Sequence, residues 1–137
     1  MSSTLRISAA LSLLLCFGCH NPFVRRQQGS ITPCKSNVRN LATALEMYAS
    51  DNGGRYPTTW TKLTSGNYLK LIPTCPAAGT DTYSSTYRYT TASRAPNGKR
   101  IQGKDTFSFH CQGNNHSKNG TRPNHPAYDS EFGLEEK

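Results

Sequence analysis

Cysteine and histidine are the residue types in this chain best suited to chemistry, and they are spread unevenly along its 137 residues. Cys34 and Cys75 stand far apart, whereas His110, Cys111, His116 and His125 crowd one stretch near the C-terminus. Thiolate and imidazole together suit zinc, and Cys75 could join that group. The spacing nevertheless matches no zinc template such as a C-x-x-C pair followed by a closely spaced histidine pair. The competing chemistry is oxidation. In an exported protein, two of Cys34, Cys75 and Cys111 close a disulfide and one is left over. We expect the bridge between Cys75 and Cys111, because a hairpin would bring the strand ending at Cys111 near the segment that begins at Cys75. Closing so long a loop adds about 3 to 4 kcal/mol in the chain-entropy picture. Cys34 is then the odd thiol, buried or tethering, since no His or acid lies at a spacing that would activate it as a nucleophile. His116 and His125 sit among Asn114, Asn115, Asn119, Gly120, Pro123 and Pro126 and read as solvated turn residues, so no metal ligand is assigned.

Catalytic constellations are not apparent. Glu46 is a single acid on the solvent side of a helix, Asp81 and Asp105 flank strands, and no paired carboxylates, Ser-His-Asp set or phosphate loop occurs. The expectation is no enzyme and no cofactor. Sixteen Lys and Arg against eight Asp and Glu give a formal charge of +8, and Arg94, Lys99, Arg100 and Lys104 concentrate part of it on one loop. Such a patch could meet an anionic surface or nucleic acid, although no aromatic residues interleave with it and solubility alone would account for it.

The elements that must position these residues begin after a leader. Ile7 to Gly18 is an apolar stretch of about a dozen residues, too short to cross a bilayer as a helix, and reads as a secretory signal peptide. Its end, Leu15-Cys16-Phe17-Gly18-Cys19, resembles the bacterial lipobox, which implies acylation of Cys19 and a membrane anchor. Cys16 to His20 also spells C-x-x-C-H, the haem c spacing, but it lies against the segment that signal peptidase removes. Residues 1–18 are thus expected as signal peptide, 19–33 as a flexible tether and 34–137 as a single domain with a loop-rich tail.

Within that domain Val38, Leu41, Ala42, Leu45, Tyr48 and Ala49 form one helical stripe, opened by Thr32-Pro33 and stopped by Asn52-Gly53-Gly54. A short helix through Leu63 follows. Ser84 to Thr91 and Asp105 to Cys111 alternate Tyr87, Tyr89, Phe107 and Phe109 with polar neighbours, which predicts two half-buried strands in an antiparallel hairpin, with Pro96-Asn97-Gly98 in the connection. Beyond Gln112 the chain reads as loop. The expected class is α+β, one amphipathic helix packed on a small antiparallel sheet.

The run Ala44 to Pro57, then Leu63, Tyr68-Leu69, Ile72-Pro73 and Cys75-Pro76, resembles the globular half of type IV pilins and type II secretion major pseudopilins over roughly residues 34–113. The resemblance implies a non-catalytic domain that works by assembly or interaction with other envelope, pilus or secretion proteins. It does not extend to the long apolar helix that packs inside those filaments, so the expected protein is a lipid-anchored envelope component, on the outer membrane, rather than a filament subunit. The alternatives are a true filament subunit and a metal- or haem-binding envelope module. Major pseudopilins hold a calcium in their C-terminal loop; Asp129 and Glu131 are the only candidate acids here and are too sparse to carry that site over.

Overall fold

The computed structural model describes residues 31–94, 97 and 99–136, with the backbone alone at 93, 94 and 100–102. The expected leader, the Cys19 acylation site, the C-x-x-C-H motif and the expected tether up to residue 30 lie outside the described residues; residues 31–33, expected as the end of the tether, are already helical.

Helix α1 spans Ile31–Asp51 and buries Cys34, Val38, Leu41, Ala42, Leu45 and Ala49 along one face, as the three- and four-residue spacing dictates. Its end is made by Gly53 and Gly54, whose φ of 64° and 76° suit glycine, and Gly54 N–H closes on the Ala49 carbonyl at 2.7 Å. The chain then extends through Tyr56-Pro57 into α2, Thr61–Ser65, which buries Leu63.

Four short strands form an antiparallel sheet in the order β1-β4-β5-β6, with β1 at Arg88–Thr90, β4 at Thr106–His110, β5 at Ala127–Asp129 and β6 at Gly133–Glu135. A separate ribbon, β2 (Ser93–Arg94) with β3 (Arg100–Gln102), lies in the β1–β4 connection. The expected α+β class and the hairpin hold, with Tyr89 opposite Phe107.

The sheet departs from expectation in two places. The first expected strand starts four residues late, because Asp81 Oδ1 accepts the Tyr83 and Ser84 amides at 2.8 and 3.1 Å and turns residues 84–86 into a 3-10 helix. The expected C-terminal loop instead supplies β5 and β6. Their three-residue length is too short for alternation to register, and what holds them is Tyr128, stacked on Phe107 and Phe109 with ring centroids 5.8 and 6.1 Å apart.

The core lies between α1 and this aromatic face. Leu41 and Leu45 are fully buried, as are Phe107 and Phe109 to within a few per cent, and Trp60 packs edge-on to Phe109 at 5.3 Å. Tyr89, expected in the core, is 40% exposed on the edge strand β1, where it stacks on the buried Tyr87 with ring centroids 6.1 Å apart.

Candidate metal centre

Four polar donors converge at one edge of this core. Cys34 stands one turn before Val38, so the buried stripe of α1 carries its thiol inward. Cys75 opens a tight turn in which its carbonyl accepts the Gly79 and Ala78 amides at 2.7 and 3.1 Å and its own N–H reaches Thr80 O at 2.8 Å. Cys111 follows β4, its N–H bonded to Pro126 O at 2.9 Å, and His116 opens the 3-10 turn Ser117–Asn119. Four separate segments therefore each contribute one side chain.

The Cys34, Cys75 and Cys111 sulfurs and a His116 ring nitrogen all lie within 4.8 Å of one another. His116 Nε2 is 3.5 Å from Cys75 Sγ and 3.7 Å from Cys111 Sγ. The three cysteines are 0% exposed and His116 is 2% exposed. Neighbouring groups are placed to donate to sulfur: the Thr82 hydroxyl is 3.1 Å from Cys111 Sγ, the Tyr83 hydroxyl 3.0 Å from Cys34 Sγ, and Asn115 Nδ2 3.9 Å from Cys111 Sγ. His116 Nδ1 is buried with no partner among the described residues.

The same proximity perturbs the thiols. Cys111 is pulled down to about 5, chiefly by the Cys34 thiol hydrogen-bonding to it, with Thr82, His116 and Cys75 adding to the effect against the penalty of burial. Cys34 is pushed far up by the same hydrogen bond and by burial. Burial also raises Cys75, opposed by the Ala78 and Ala77 amides.

The geometry regroups the residues picked out in the sequence. Cys75 and Cys111 come together as expected, within 4.8 Å, here as free thiols in a four-membered group with Cys34 and His116 rather than as a pair. Cys34 is a member of the cluster and not a leftover. His116, expected in solvent, is buried because the turn from Gly113 to Asn124, closed by Asn124 N–H to Gly113 O at 2.7 Å, folds it inward. His110 and His125 stay outside: His110 is half-buried on β4, and His125 donates through Nδ1 to Pro123 O at 3.0 Å with Nε2 3.6 Å from Glu135. Asp129 Oδ1 accepts the Glu131 amide at 2.7 Å, and Glu131 lies 3.8 Å from Lys104. In the cationic patch the backbones of Arg94 and Arg100 are paired in the β2–β3 register, and Lys99 and Lys104 are exposed. The signal for Cys34 was present in the sequence, since it falls on the same stripe as Val38 and Leu41.

Comparison with protein-family models, curated proteins and solved structures finds no match.

Proposed function

We propose that this chain is a non-catalytic, lipid-anchored cell-envelope component whose pilin-like domain serves assembly or interaction. The observation that carries the reading is the packing of one long amphipathic helix, through Leu41 and Leu45, on a small antiparallel sheet, with the Arg55-Tyr56-Pro57 connector fastened between them. Tyr56 Oη donates to both Glu46 oxygens at 2.9 and 3.0 Å, and Tyr87 Oη donates to Pro57 O at 2.8 Å. These bonds give a physical purpose to the connector residues that carry the resemblance to pilins. A non-catalytic role is supported by the closure of the Cys/His cluster, whose sulfurs no substrate can reach. Phe132, 81% exposed on the β5–β6 turn, is the kind of apolar side chain that a partner would cover.

No helix among the described residues is long and apolar enough to cross a membrane, so membrane attachment in this reading rests on acylation of Cys19. The test is fractionation and cross-linking of the full-length chain. The wild type should sediment with membranes, carry a lipid mass at Cys19 and cross-link to other envelope proteins, and Cys19→Ser should be released. Release of the wild type without lipid, or a Cys19→Ser variant that stays on the membrane, overturns the anchor. A wild type that is anchored yet cross-links to nothing overturns the interaction role.

A second reading, a metal-bearing module, is favoured by the Cys/His cluster and is compatible with the first.

A further inference from the structure

We infer that Cys34, Cys75, Cys111 and His116 bind one zinc ion through three thiolates and Nε2, as a closed structural site. The argument starts from distance. With metal–sulfur bonds of about 2.3 Å and metal–nitrogen bonds of about 2.0–2.1 Å, the sulfur-to-nitrogen edge of a tetrahedron is about 3.6 Å and the sulfur-to-sulfur edge about 3.8 Å. The observed sulfur-to-nitrogen distances of 3.5 and 3.7 Å already equal that edge. Since no pair of donor atoms is more than 4.8 Å apart, closing the remaining edges takes side-chain shifts of about 1 Å at most.

The donor set selects the ion. Three soft sulfurs and one imidazole in a tetrahedral arrangement suit zinc, whereas calcium and magnesium require oxygen ligands in larger numbers. On binding, each cysteine that still carries its thiol proton releases it to solvent and His116 stays neutral, so the filled site has three negative ligands around a divalent cation and a net charge of −1. The Thr82, Tyr83 and Asn115 donors within 3.1, 3.0 and 3.9 Å of sulfur are placed to stabilise that residual charge. The metal would also use His116 Nε2, a nitrogen that otherwise faces only sulfur inside the core. Full burial leaves no open coordination position for a substrate, which makes the site structural rather than catalytic.

The site joins the first turn of α1, the Cys75 turn, the end of β4 and the loop before β5 at a single point. In a domain with a small aromatic core, one ion bonded to all four would do the work of a set of disulfides. It would also explain why an odd number of thiols is gathered in one place, which disulfide pairing does not. This inference does not depend on the pilin-like reading, and its test reads a different quantity.

The test uses the full chain, expressed with zinc in the medium and purified without chelator. Elemental analysis should return one zinc per chain that survives gel filtration, and alkylation should find Cys34, Cys75 and Cys111 protected until the metal is stripped. Exchange into cobalt should give the intense visible bands of a tetrahedral ion with sulfur charge transfer in the near ultraviolet. His116→Cys should keep the metal and strengthen the charge transfer by adding a fourth sulfur, while His125→Ala should change nothing. The cobalt spectrum of the unaltered chain reports the sulfur ligands even where a variant fails to fold. Protein that holds no zinc with its thiols reduced, a Cys75–Cys111 disulfide in freshly isolated protein, or an octahedral cobalt spectrum overturns the inference.

Discussion

The Tyr83 hydroxyl lies 3.0 Å from Cys34 Sγ across 49 positions of sequence, and it also accepts the Asn37 side-chain N–H at 3.3 Å. Tyr83 is fully buried, and Asn37 Nδ2 reaches Thr74 O at 2.9 Å. One phenol therefore ties the first two turns of α1 to the segment after the Cys75 turn, and orients a sulfur of the cluster as it does so.

Tyr83→Phe keeps the ring and removes that oxygen. It leaves a buried thiol and an amide N–H short of a partner, and the expected cost is about 1 to 2 kcal/mol. Tyr89→Phe, on an exposed ring, should stay within about 0.5 kcal/mol of the wild type. Urea midpoints measured side by side distinguish the two. Equal midpoints would mean that the Tyr83 hydroxyl ties nothing together.

A glycine in the short helix region tests packing rather than hydrogen bonding. Gly66 ends α2 with φ at −88°, which any residue tolerates. A Cβ there, however, would sit 2.7 Å from Tyr68 Cε2 and 2.9 Å from the Lys62 carbonyl oxygen. The backbone oxygen cannot move without unwinding the turn, so Gly66→Ala should cost about 1 to 3 kcal/mol through overpacking. The contrast is Gly79→Ala, where a Cβ meets nothing within 4 Å but φ is +72°. Its penalty should be about 1 to 2 kcal/mol and purely conformational, so Gly79→Asn should recover much of it and Gly66→Asn none. Thermal melts of the four variants check the pattern, and recovery at residue 66 would refute the steric account.

Alkaline pH provides a third test. Burial, and then the hydrogen bond to the Glu46 carboxylate, push the Tyr56 phenol up, and burial does the same to Tyr87. A group whose ionisation is raised on folding contributes stability that is complete below its unfolded value near 10 and is lost as pH climbs above it. Stability should therefore fall from about pH 10 upward. Of the seven tyrosines, Tyr56, Tyr87 and the fully buried Tyr83, which burial and then the Cys34 thiol push up in the same way, should ionise only together with unfolding. Tyrosinate absorbance and circular dichroism recorded in parallel check this, and Glu46→Gln should let Tyr56 ionise at lower pH. Titration of all seven near pH 10 with the fold intact would be the contrary result.

The fold was legible where a pattern ran long enough to be read. The stripe from Val38 to Ala49 and the alternation from Asp105 to Cys111 each span several periods, and both face the core as they should. Strands β5 and β6 have three residues each and are held by stacking of Tyr128 on rings far away in sequence, which no local pattern announces. The cluster was half legible. The hairpin pattern brings Cys75 and Cys111 together, but the polar neighbours of His116 carry no sign of the turn that folds it inward. Cys34 has no activating partner nearby in sequence, yet its place on the apolar stripe points it at the sheet. Zinc templates built on two closely spaced ligand pairs do not detect a site in which Cys111 and His116 are five residues apart but Cys34 and Cys75 each stand alone.

The last prediction concerns the face of α1. Leu45 is fully buried against the aromatic side of the sheet, with Leu41 one turn before it. Arg39 lies on the opposite side, and its pairing with Glu136 at 3.2 Å is half open to water on both partners. Removing three carbons from a packed leucine leaves a cavity, so Leu45→Ala should cost about 2 to 5 kcal/mol, a large share of what a domain of this size has to lose. An exposed ion pair contributes little because water and salt screen it, and Arg39→Ala should cost less than about 0.5 kcal/mol. Salt separates the mechanisms further. The small Arg39 effect should vanish as ionic strength rises, while the Leu45 effect should persist, because apolar burial does not depend on screening. Urea titration of both variants at low and high salt decides the point. An unchanged midpoint for Leu45→Ala with a large, salt-dependent loss for Arg39→Ala would mean that α1 presents its other face to the sheet, and the packing on which the proposed function rests would be wrong.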